Sequence, residues 1–192
     1  MLKHISLFLV FVLALASGTP SPARATDAAW ARVQRGGYTI LMQGADASGT
    51  LSPSVDHSVD CSATQTLSDR GRQLAQKLGA RFAARGVRIE RILTSSTCNA
   101  RETARLSFGS TPAEIYPPLD PLPADDAAKQ VELEKIRATI IGFKGSGNLV
   151  MMTDRASITA LTGVAPRPTE AVVVGPNGED GTIHVAGRII FD

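Results

Sequence analysis

The chain has 192 residues, a length that suits one well-buried domain and is short for two. Its 20 basic and 18 acidic residues nearly balance, with no basic run and no aromatic-basic interleaving, so the electrostatic footprint of a nucleic-acid binder is missing. The first residues read as a targeting segment. Met1-Leu2-Lys3-His4 is positively charged, Ile5 to Ala16 is apolar apart from Ser6, and Ala23-Arg24-Ala25 supplies small residues before a cut ahead of Thr26. This is the pattern of a secretory signal peptide over residues 1–25, too short in its apolar part to anchor the chain. It leaves a single domain over 26–192, no membrane span after cleavage, and a periplasmic or secreted location. Cleavage removes Lys3 and Arg24 and no acid, so 18 basic residues then face 18 acidic ones.

Tyr38 to Met42 is a short apolar strand behind Gly36-Gly37. Ala45 to Thr66 is rich in Ser, Asp, Gly and Pro without a periodic apolar face, and reads as a long functional loop. Ser68 caps, and Asp69 favours, the start of a helix on which Leu74, Ala75, Leu78 and Phe82 share a face and which Gly86 ends. Val87 to Thr94 is a second strand. Ala100 to Phe108 is a second helix, with Ala104, Leu106 and Phe108 for packing. Glu114-Ile115-Tyr116 is a short strand stopped by Pro117-Pro118. Asp125-Asp126 open a third helix to about Phe143 that turns Val131, Ile136 and Ile140 inward. Asn148 to Met152 suits a central parallel strand covered on both faces. Ser157 to Leu161 is a short helix, and Ala171 to Val174 with Thr182 to Phe191 form a terminal hairpin around Pro176-Asn177-Gly178. Such alternation defines an α/β protein, a three-layer α/β/α sandwich.

Four segments say more. Tyr38-Thr39-Ile40-Leu41-Met42-Gln43-Gly44 runs a strand into a glycine turn. Asp60-Cys61-Ser62-Ala63-Thr64-Gln65-Thr66-Leu67-Ser68-Asp69-Arg70-Gly71-Arg72 leads into a helix. Ser95-Ser96-Thr97-Cys98-Asn99-Ala100-Arg101-Glu102-Thr103-Ala104 joins a strand to the next helix, and Thr153-Asp154-Arg155 precedes Ile158-Thr159-Ala160-Leu161-Thr162-Gly163. Together these resemble the histidine phosphatase (phosphoglycerate mutase-like, branch 1) superfamily, and its exported bacterial members in particular. There the first strand ends in Arg-His-Gly, the second-strand segment in Arg-Ala-Arg-Glu-Thr-Ala and the third strand in Thr-His. The resemblance implies a mainly parallel sheet and a phosphate site at its C-terminal edge, where two arginines and two histidines hold the substrate. One of those histidines takes the phosphoryl group. In this sequence the arginine positions read Met42 and Asn99, the nucleophile position reads Gln43, and the second histidine position reads Asp154.

None of the four can do that work. An amide nitrogen has its lone pair delocalised, Met42 is uncharged, Asn99 keeps donors without charge, and Asp154 puts an anion where a dianion would bind. Like charges about 4 Å apart repel by roughly 4 kcal/mol per unit pair at an effective dielectric near 20. The resemblance therefore implies an exported, non-catalytic histidine phosphatase-family protein with a degenerate pocket. It would act as a binding or regulatory module on a small ligand or a protein partner, without a cofactor. The alternative is a phosphoric monoester hydrolase whose chemistry has moved, with His57 as the displaced nucleophile.

Arg155 and Ser95, with His57, are candidate ligand contacts. Arg101 is discounted as a replacement for the arginine at Asn99, because two helical positions rotate it by roughly 200°. Asp46, Asp154 and Gln43 are scattered oxygens without a spaced ligand loop, so no metal site is expected. His184 is structural, and Ser95 and Ser96 lack a placed histidine base. In the implied fold Cys61 and Cys98 share one rim of the sheet, and an exported chain meets oxidising conditions, so a Cys61–Cys98 disulfide is expected. Two separate buried thiols are the other reading.

Overall fold

A computed structural model of the chain describes residues 22–45, 61, 67–175 and 182–191. In chain order the elements are α1 (Pro22–Arg35), β1 (Thr39–Gln43), α2 (Asp69–Ala84), β2 (Ile89–Thr94), α3 (Cys98–Phe108), β3 (Ala113–Ile115), a 3-10 turn (Pro117–Leu119), α4 (Asp126–Gly142), β4 (Asn148–Thr153), α5 (Arg155–Thr162), β5 (Glu170–Gly175) and β6 (His184–Ile190). The strands form one sheet in the order β3-β2-β4-β1-β5-β6. The β1–β4, β2–β4 and β2–β3 pairings are parallel, and the β1–β5 and β5–β6 pairings are antiparallel.

The period of two along each strand divides the core. Ile40, Met42, Ile92, Val150, Met152 and Val173 point to one face, where they meet α1, α2 and α3. Leu41, Leu93, Leu149, Met151 and Val172 point to the other, under α4 and α5. This is the expected three-layer sandwich, and β1 and β4 are buried on both faces as continuous apolar runs require.

α1 is an element the sequence reading did not assign. It crosses the expected cleavage point ahead of Thr26 and buries Ala29, Trp30 and Val33, one helical face. Trp30 packs edge-on against Phe82 and Phe191, and the Arg85 guanidinium lies 4.3 Å from its ring centre. Asn148 is fully buried where α1, β1 and β2 meet. It donates to the carbonyls of Val33 at 2.7 Å and Arg88 at 2.9 Å, and accepts from Tyr38 N. In α4 the inward residues are Leu133, Ile136 and Ile140, while Val131 is 53% exposed. The expected inward Val131 is thus corrected: it lies about 140° around the helix from Ile136, off the i, i+3, i+7 stripe.

Candidate functional site

The C-terminal ends of the adjacent parallel strands β2, β4 and β1 open into a cleft of about 360 Å³. Open α/β sheets place ligands at this edge. Gln43 ends β1 and Gly44 follows it. Ser95, Thr97 and Asn99 follow β2 into α3, and Thr153, Asp154, Arg155 and Ala156 carry β4 into α5. Leu119, Pro121 and Leu122 form an apolar wall.

Three of the four positions named from the sequence meet here; Met42 does not. Met42 is 2% exposed, in register with Met152 of β4 and Ala171 of β5, on the face covered by α1, α2 and α3. Its placement in the pocket is corrected. Adjacent strand residues face opposite ways, so Gln43 reaches the cleft only because Met42 turns from it.

Gln43 is held by its own amide, whose Nε2 donates to the carbonyls of Arg167 at 3.0 Å and Pro166 at 3.4 Å. Arg167 N in turn donates to Glu170 Oε2 at 3.0 Å, and the Glu170 carboxylate is paired with the Arg188 guanidinium. Burial pushes the Glu170 carboxyl up. Hydrogen bonds from Arg188 and from the Arg167 backbone outweigh it, so the net shift is below the usual carboxylate range. The segment bearing Gln43's partners is thereby anchored to β5 and β6.

Asp154 is the N-cap of α5. Its Oδ1 accepts from Ser157 N at 2.8 Å and its Oδ2 from Ser157 Oγ at 3.0 Å. A short polar side chain at this point satisfies an orphan helix donor, which explains an aspartate locally. Asn99 sits in the first turn of α3, against Gly44. A Cβ at Gly44 would lie 2.9 Å from Asn99 Nδ2 and 3.1 Å from Ala100 N, so glycine lets β1 end against α3. The contact is fixed by Thr103, whose Oγ1 accepts from Ala45 N at 2.9 Å and donates to Asn99 O at 2.6 Å.

Ser95 is buried and shares a hydroxyl hydrogen bond of 2.7 Å with Thr97 Oγ1. Ser96 instead turns to Asp120, bonding through both its backbone N and its Oγ. Arg155 is exposed at the rim. Among the described residues, Asp154 and Arg155 are the ionisable side chains lining the cleft, and no histidine lines it. His57 and Asp46 lie outside the described residues. His184 is exposed on β6. No cluster of three His, Cys, Asp or Glu able to hold a metal occurs among the described residues.

Cys61 and Cys98 are joined, with Cα atoms 5.3 Å apart. The bond ties residue 61 to the first residue of α3, beside Asn99. Arg101 donates to Cys61 Sγ at 3.0 Å and is not among the cleft-lining residues. The sequence reading missed Thr153, Leu119 and Leu122 as cleft walls. The two leucines follow or sit within a proline-rich stretch that gives no periodic signal.

No protein-family model matches the chain, and no curated protein matches it significantly. Solved structures do. The protein histidine phosphatase SixA, complexed with tungstate, is similar at 17% identity with a TM-score of 0.57, over 80% of this chain and 96% of that one. The α-ribazole phosphatase from Shigella flexneri is similar at 15% identity and TM-score 0.58, over 81% and 96% of the two chains. Bacillus stearothermophilus YhfR gives 17% identity and TM-score 0.57, over 78% and 95%. The chain has the phosphoglycerate mutase-like fold of the histidine phosphatases.

Proposed function

We propose that this chain is a non-catalytic member of the histidine phosphatase superfamily, exported and acting as a binding or regulatory module through its cleft. The observation that carries the reading is the cleft's chemistry. It stands where parallel strands end, yet among the described residues its lining is uncharged except for one carboxylate and one rim guanidinium. Phosphoryl transfer through a phosphohistidine needs an unprotonated imidazole in line with phosphorus and cations around the dianion. Gln43 at the end of β1 supplies an amide whose nitrogen is already committed to two carbonyls. Asp154 supplies negative charge, and Met42 is sealed in the core.

The SixA structure holds tungstate. An oxyanion of that kind in this cleft would face Asp154, with Arg155 as the one cation among the described lining residues, beside neutral donors on Ser95, Thr97 and Asn99 and the N-terminal N–H groups of α3. The lining suits a ligand of low net charge that offers hydrogen-bond acceptors to Ser95, Thr97 and Asn99 and an apolar edge to Leu119 and Leu122. Thermal-shift screening of the mature protein tests this. Neutral or zwitterionic polar compounds should raise the melting temperature by mass action, and inorganic phosphate and vanadate should leave it unchanged at millimolar concentration. Saturable stabilisation by vanadate would overturn the reading.

A further inference from the structure

Opposite the cleft, at the other end of the sheet, α1, α2 and α4 finish and the parallel strands β1, β2 and β4 begin. Four cations meet there. Arg35 closes α1, Arg85 is the C-cap of α2, Arg88 precedes β2 and Lys144 follows α4. All four are exposed, and among the described residues none enters an ion pair. Long-range hydrogen bonds knit their segments into one edge. Gln34 Nε2 donates to the Arg85 carbonyl at 2.9 Å, and Arg88 Nη2 donates to the Ser146 carbonyl at 2.7 Å. Asn148 ties the carbonyls of Val33 and Arg88 together beneath them. The partly buried Arg32 and Arg81, in the last turns of α1 and α2, raise the count to six cations. Against them stand Glu90, which accepts from Gly147 N at 2.7 Å, and the Glu179-Asp180 pair in the sequence joining β5 to β6.

Cations at helix C-termini offset the helix dipole, which accounts locally for Arg35, Arg85 and Lys144. Arg88 belongs to no helix end, and the excess of positive charge remains. The large apolar side chains exposed among the described residues are Ile115 and Val131, and neither lies at this edge. Protein interfaces draw their affinity from aromatic and apolar anchors, whereas an anionic bilayer attracts clustered Lys and Arg through charge. We propose that the edge bearing Arg35, Arg85, Arg88 and Lys144 is a peripheral docking surface for anionic phospholipid headgroups, with the cleft facing away from the bilayer. The association is reversible and salt-sensitive, and it does not depend on whether the cleft turns over phosphate.

The test sediments the purified protein with vesicles of phosphatidylcholine, alone or mixed with phosphatidylglycerol, and takes the ratio of the two partition coefficients. An apolar N-terminal segment that enters either lipid cancels in that ratio. The ratio should be at least about tenfold at low salt and fall towards one as the Debye length shortens to about 3 Å at 1 M. Arg35→Gln and Lys144→Gln should each lower it about fivefold. Arg70→Gln removes an exposed cation from the first turn of α2, at the cleft end, and should change it by less than about twofold. A parent ratio near one, a ratio indifferent to salt, or equal losses in Arg70→Gln and Arg35→Gln would each overturn the proposal. Tighter binding to polyglutamate than to the anionic vesicles at matched charge would also overturn it, in favour of an acidic protein. Circular dichroism checks each variant, and if one does not fold, the parent's lipid ratio and its salt dependence decide.

Discussion

Met42→Arg introduces the residue type carried at the matching position of the histidine phosphatases that the sequence resembles, and the structure gives a definite expectation for it. Met42 is 2% exposed, flanked in register by Met152 and Ala171 and packed in the cluster that includes Phe82, Ala100 and Ala104. Losing the methionine's burial forfeits about 1.5–3 kcal/mol. Placing an unpaired guanidinium there adds a desolvation cost of several kcal/mol. The sum exceeds about 4 kcal/mol, a large part of the roughly 5–15 kcal/mol that stabilises a domain of this kind. Urea denaturation followed by circular dichroism should show the midpoint falling by at least about 1 M at unchanged slope, or no folded baseline at all. Met42→Leu, which keeps volume and polarity, should cost less than about 1.5 kcal/mol. A Met42→Arg protein within about 1 kcal/mol of the parent would refute the reasoning. It would mean that residue 42 can swing into the cleft and that the strand alternation does not bind it.

Further outcomes follow from named contacts. Asp154→Ala removes the α5 cap and should cost about 0.5–2 kcal/mol by denaturant melting, whereas Asp154→Asn should be nearly neutral. Equal losses in both would show that charge, not capping, holds Asp154 there. The Glu170 carboxyl titrates below its unfolded value, so its contribution is full above the unfolded pKa and is lost as pH falls through the folded one. Melting temperature should therefore drop less steeply on acidification in Glu170→Gln than in the parent, from a lower start at neutral pH. Parallel curves would contradict it. Gly79→Ala sets helix propensity, a gain of about 1 kcal/mol, against a Cβ that would lie 2.0 Å from the Ser107 carbonyl oxygen. Backbone cannot step aside as a side chain can, so overpacking of about 1–3 kcal/mol should win, and a stabilised variant would contradict the α2–α3 contact.

Much of the scaffold could be read from local chemistry. Ser68 caps α2 as expected, with its side chain accepting from Gly71 N, and the apolar run from Asn148 is the doubly covered β4. Cys61 and Cys98 pair as the resemblance implied. What stayed hidden was set by tertiary neighbours. Asn148 reads as the start of an apolar strand, yet it is a buried hub joining α1, β1 and β2. α1 went unassigned because its sequence follows a targeting pattern and its Trp30 face has meaning only against Phe82 and Phe191. Val131 was turned inward on hydrophobicity alone, although the stripe of Leu133, Ile136 and Ile140 leaves it outside. The resemblance puts Met42 in the cleft as the counterpart of the arginine in Arg-His-Gly, while here the strand sends Met42 and Gln43 to opposite faces. The Gln43 tether to Pro166 and Arg167 joins residues more than a hundred positions apart and leaves no local trace.

The most direct measurement is turnover of a generic aryl phosphate by the purified protein from pH 4 to 9, beside a His57→Ala variant prepared identically. Both proteins should release product at the rate of the buffer alone at every pH. Saturable turnover in the parent that is lost in His57→Ala would contradict the non-catalytic reading, and would place the phosphoryl-accepting imidazole in the segment that follows β1.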